Sequence, residues 1–142
     1  MELLLIRHAL PVRRELDEGI ADPQLSPEGL AQAEHLAGYL ASERIHAVYA
    51  SPLRRAQQTA APLAKTQGVD IVTVDDVAEW DRNSNEYVPV EELKAANDPR
   101  WQAMLRGEWN VHEESPEEFN KRCINAVEDL IAAHSGQTIA IV

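Results

Sequence analysis

Three short apolar runs, rich in leucine and β-branched residues, punctuate the chain at 2–6 (ELLLI), 46–50 (HAVYA) and 138–142 (TIAIV), with a weaker fourth at 70–74 (DIVTV). Runs of that length bounded by polar residues predict strands buried within a sheet. Between them the apolar positions change period. Leu30, Ala33, Ala37 and Leu40 recur at helical spacing, as do Phe119, Cys123, Val127 and Leu130, and each set predicts the buried stripe of an amphipathic helix. Three Ser-Pro pairs, Ser26-Pro27, Ser51-Pro52 and Ser115-Pro116, predict helix starts, because the serine oxygen accepts from a free backbone N–H and proline suits the first helical position. Glu118 stands where a capping box with Ser115 requires it. Pro62 should kink or end the second helix, and Gly68 should stop it. Strands alternating with such helices predict an α/β three-layer sandwich, a mostly parallel central sheet with helices on both faces. The pattern leaves the strand order open.

From 81 to 114 the periodicity weakens into a polar stretch with one short helix, capped by Asp98, started by Pro99 and stopped by Gly107. Trp101, Met104 and Leu105 are expected to form its buried face, and Tyr87, Trp101 and Trp109 to belong to the core. With no internal repeat and no flexible linker, the 142 residues are read as one domain, in which 81–114 forms a substrate-covering insert.

Charge narrows the range of partners. Thirteen Lys and Arg against 24 Asp and Glu leave a net charge of −11, a field that repels nucleic acid and anionic membranes but still permits a small anion at a local cationic site. The single cysteine, Cys123, cannot form an internal disulfide, and its place on a helix face suits packing. The opening MELLLIRH is too short and too soon charged to serve as a signal or membrane segment, so the cytoplasm is expected. His35, His46, His112 and His134 show no metal-ligand spacing, and no metal or other cofactor is expected.

Two segments carry candidate chemistry. In the first, a strand delivers Arg7 and His8 together at its C-terminal end, where open α/β sheets bind ligands. A neutral imidazole can attack phosphorus, and a guanidinium fork matches phosphate oxygens. A strand-end ion pair would leave the same dipeptide. In the second, ASPLRRAQQTA at 50–60, a strand end runs into a helix whose first turn carries Arg54 and Arg55, adding charge to an anion-attracting helix N-terminus. A solvated helix start reads the same way.

In order and spacing, IRHA at 6–9, LSPEGLAQA at 25–33, ASPLRRAQQTA at 50–60, and ESPEEF at 114–119 followed by Arg122 resemble the histidine phosphatase superfamily, the phosphoglycerate mutase-like group. The resemblance implies a phosphatase hydrolysing a phosphomonoester through a phosphohistidine intermediate on His8. It makes Arg7 and Arg55 phosphate clamps and Glu79 the general acid and base, with Arg54 a surface neighbour. Arg14 stands near a position where relatives place a phosphate-touching asparagine, which makes it a third candidate clamp. Ala9 replaces the usual glycine after Arg-His. The family's second catalytic histidine follows a strand like 138–142, so the domain is expected to lack its C-terminal part and to have reduced activity. A catalytically impaired phosphate-binding or regulatory module and a mutase-type phosphotransferase are the alternatives. The partner implied in each case is a small phosphorylated molecule.

Overall fold

A computed structural model describes residues 1–108 and 114–142. Among the described residues, β1 (Glu2–Leu5), β3 (Ala47–Ala50), β4 (Ile71–Thr73) and β6 (Thr138–Ile141) form a wholly parallel sheet in the order β1-β6-β3-β4. A separate two-stranded antiparallel ribbon pairs β2 (Arg14–Glu15) with β5 (Glu86–Tyr87). The helices are α1 (Pro27–Tyr39), α2 (Arg54–Gln67), α3 (Val90–Ala95), α4 (Pro99–Leu105) and α5 (Pro116–Ala133).

Parallel strands joined by helices are covered on both faces, and the alternation along β6 shows how. Ala140 packs with Val48, Ala60, Leu63 and Ala64 in the main core, on the side of α1 and α2. Ile141 therefore points to the opposite face, where it lines a cavity together with Cys123 and Val127 of α5. The α/β architecture is as the pattern predicts, with strand bounds that differ by at most one residue at either end.

Four local expectations are corrected. The buried stripe of α1 is Gly29, Ala33 and Ala37, small residues that bring the helix close to its neighbours, while Leu30 is 46% exposed. Ser51-Pro52 does not open α2. That helix starts at Arg54 behind Leu53, without a cap from its own flanking side chain; instead Asp22 accepts from the Arg54 N–H at 2.9 Å. Pro62 does not end α2, which continues to Gln67 and stops, as expected, where Gly68 adopts φ +68°. On α4 the cap from Asp98 forms as expected, but Leu105 is 62% exposed. The helix α3 was not anticipated. Trp109 and His112 lie outside the described residues. Among the described residues, no helix is long and apolar enough to cross a membrane.

Candidate active site

Three strands of the sheet bring side chains to the same C-terminal edge. Beyond β1, the Ile6 N–H donates to the Ile141 carbonyl at 2.8 Å, and the next residues are Arg7 and His8. Beyond β3, residues 51–53 turn into α2 and present Arg55 on its first turn. Beyond β4, the Val74 N–H donates to the Ala50 carbonyl at 2.9 Å, and a single 3-10 turn, Asp75–Val77, delivers the chain to Glu79.

The loop after β1 is held by side chains from two helices. Thr59 of α2 accepts from the Ala9 N–H at 2.9 Å and donates to the Arg55 carbonyl at 2.7 Å. Gln32 of α1 accepts from the Leu10 N–H at 3.0 Å. The Leu10 carbonyl accepts from both the N–H and the hydroxyl of Ser26, at 2.9 and 3.0 Å. A methyl group at Gly29 would lie 2.1 Å from that same carbonyl oxygen, so only glycine lets α1 approach this loop.

Within this frame His8 is 7% exposed in its side chain. Its Nδ1 lies 2.8 Å from the Ala9 carbonyl, an oxygen that can only accept, so Nδ1 carries a proton and Nε2 is the ring nitrogen that faces the cluster. Nε2 stands 3.2 Å from Glu79 Oε2, off the alignment of a hydrogen bond, and is buried without a hydrogen-bond partner among the described residues.

The same Glu79 oxygen accepts from Arg55 Nε at 3.1 Å and Nη2 at 2.6 Å. Arg55 is 1% exposed, donates also to Asp81 at 2.8 Å, and lies 4.5 Å from the Tyr87 ring centroid. Burial disfavours the guanidinium cation, and Asp81 and then Glu79 more than offset that penalty. For Glu79, burial alone would raise the carboxyl; the His8 imidazole and then the Arg55 guanidinium reverse this and hold it at about 2. Burial, with the Glu79 charge adding to it, pushes the Tyr87 phenol up, so that ring stays neutral. Burial also raises the Cys123 thiol, against the lowering effect of Arg122.

The segment carrying Glu79 is itself clamped. Arg122 of α5 donates to the carbonyls of Asp76 and Ala78 at 2.8 and 2.7 Å, and to both carboxylate oxygens of Glu114 at 2.6 and 2.8 Å. Trp80 Nε1 donates to the Glu114 carbonyl at 2.7 Å.

Of the residues picked out in the sequence, the structure brings His8, Arg55 and Glu79 into one cluster. Arg7 stands beside it, its side chain 66% exposed and 3.9 Å from Glu91. Arg14 does not join them; it is exposed on β2, its backbone paired with Tyr87. Arg54 is exposed too. Thr59, Gln32 and Asp81 went unread, and Tyr87, expected in the core, lies against Arg55 instead. Thr59 lies inside the 50–60 motif and Gln32 inside the 25–33 motif, but nothing local marks either as a loop anchor.

A cavity of about 490 Å³ holds His8, Arg55 and Glu79 with Leu53, Val127 and Val142 among its walls. A second, of about 610 Å³, shares Arg7 and Glu79 with the first and extends under α3 and α4.

The sequence profile of the histidine phosphatase superfamily (branch 1) matches residues 3–142. The chain belongs to that superfamily. Among other members, phosphoserine phosphatase 1 of Hydrogenobacter thermophilus is 35% identical over 66% of this chain and 45% of its own length. A bifunctional protein of Mycobacterium tuberculosis is 32% identical over 99% of this chain and 40% of its own. The putative phosphoserine phosphatase 2 of H. thermophilus is 30% identical, with 99% and 76% covered. This histidine phosphatase chain thus spans less than half the length of the first two relatives. Among solved structures, a phosphoserine phosphatase of Entamoeba histolytica, in complex with phosphoserine, superposes with a TM-score of 0.71 at 25% identity, covering 99% of this chain and 72% of that one. A mycobacterial glucosyl-3-phosphoglycerate phosphatase shares the fold at the same TM-score and 22% identity, with the same shares covered.

Proposed function

We propose that this protein is a phosphatase that hydrolyses small phosphomonoesters through a phosphohistidine formed on His8. One observation carries the reading: the Nδ1 proton is committed to the Ala9 carbonyl, which leaves Nε2 as the ring nitrogen that stands beside Arg55 and Glu79. Its membership among phosphatases supports the reaction class.

In the proposed reaction the phosphoryl group enters between His8 and Arg55, with Arg7 closing on its outer oxygens. Nε2 attacks phosphorus in line, and the P–O bond to the leaving alcohol breaks as Glu79 hands that oxygen a proton. Water then attacks the phosphohistidine and gives its proton back to Glu79, which regenerates neutral His8 and releases phosphate. The free site holds Glu79 ionised, so the proton must come with the substrate. A phosphate monoanion entering beside Arg55 draws the guanidinium away from Glu79 and sets a negative charge next to it; both effects raise the carboxyl, and the monoanion supplies the proton. Arg55 stabilises the phosphoryl oxygens, and removal of one such preorganised donor costs about 2.7–4 kcal/mol of barrier.

The test is covalent trapping. Purified protein exposed briefly to acetyl phosphate and analysed by mass spectrometry should gain one phosphoryl group on His8, labile to acid and stable to base. Label on another residue, or label persisting in His8→Ala, would sink the reading.

A further inference from the structure

The roughly 610 Å³ cavity beside the His8 cluster is far larger than a phosphoryl group needs, and within the range that receives a drug-sized ligand. Its walls include Trp80, Tyr87, Val90, Leu93, Met104 and Phe119. Leu93 is buried, and Trp80 and Phe119 stack with centroids 6.0 Å apart. Arg7 and Glu79 line both this cavity and the one that contains His8, so a substrate held by its phosphoryl group at His8 extends its alcohol portion into the apolar chamber. Among the described residues the charges around that chamber are already matched: Arg55 donates to Glu79 and Asp81, and Arg7 stands 3.9 Å from Glu91. Glu79, Asp81 and Glu86 line it, and its Arg100 donates to Glu86, Asp98 and Glu15 at 2.9–3.4 Å. A carboxylate on the leaving group would lose water against those apolar walls.

We propose that the substrates are phosphomonoesters whose alcohol portion is apolar and uncharged, in preference to phosphoserine or phosphoglycerate. This rests on the reading of His8 as the phosphoryl acceptor and adds the chemistry of the leaving group.

A series of n-alkyl phosphates from ethyl to octyl tests it, because the leaving-group basicity stays nearly constant while the apolar surface grows. kcat/KM should climb by up to about fourfold per added methylene until the chamber is filled, and phosphoserine should fall below butyl phosphate. Met104→Asp should lower the octyl-to-ethyl ratio by about tenfold or more, since it sets a charge against the chain, and Met104→Gln should move it in the same direction. The ratio compares two substrates on one protein, so partial loss of folded enzyme cancels. A flat alkyl series, or phosphoserine exceeding every alkyl ester, overturns the inference while phosphorylation of His8 by acetyl phosphate keeps the underlying reading. Absence of both turnover and phosphorylated His8 overturns the two together.

Discussion

At the scale of single residues, the cluster is governed by who holds whose proton. The contact of His8 with the Ala9 carbonyl selects a tautomer, and the double hold of His8 and Arg55 on Glu79 selects a charge. The second has a thermodynamic consequence. Glu79 is depressed from an ordinary value of 4.5 to about 2, so its contribution to stability is complete above pH 4.5 and is lost as the pH falls toward 2. Glu79→Gln should therefore melt below the parent at pH 6, and the gap should narrow between pH 4.5 and 2. A calorimetric gap that stays constant across that window would show that packing, and not charge, is what Glu79 supplies. His8, Arg55 and Glu79 could be picked out because each sits at a marked place in an ordered set of motifs. Asp81, Tyr87 and Thr59 could not, because their contacts with Arg55 or the His8 loop join residues 26, 32 and 50 positions apart in the chain.

At the scale of elements, the sequence signals held where both partners were local. Ser26 and Ser115 cap their own helices, and Glu118 completes the second as a capping box. Ser51 repeats the same dipeptide and does not cap, because the acceptor at the start of α2 comes from Asp22, which no rule of spacing relates to it. The contact between α1 and the His8 loop was equally hidden, being a matter of what glycine lacks. Gly29→Ala places a methyl group 2.1 Å from a backbone carbonyl oxygen, so either the helix or the loop must shift. Overpacking of this kind costs about 1–3 kcal/mol, and urea unfolding should show a loss in that range. The displaced loop carries His8, so kcat should fall as well. Unchanged stability would mean that the two elements slide apart without strain.

At the scale of the molecule, a net charge of −11 surrounds a site proposed to bind anions. Raising ionic strength from about 0.01 to 0.15 M shortens the screening length from roughly 30 to 8 Å, which weakens the distant repulsion more than the close attraction of Arg7 and Arg55. KM for a phosphate ester should therefore fall over that range; a rise would show that the local cations dominate the approach. The α/β class was legible in the sequence because apolar runs and amphipathic stripes alternate along the chain. The strand order was not, since nothing in the composition of 138–142 says that it slots between β1 and β3. That slot sets the timing of assembly. β1 emerges first during synthesis, yet its hydrogen-bonded neighbour in the sheet is β6, more than 130 residues later. Contacts that distant in sequence form slowly, so the leucine-rich strand leading to His8 waits through more than 130 residues of synthesis for its partner. The seat of His8 and the pairing of β1 with β6 come into being in the same step.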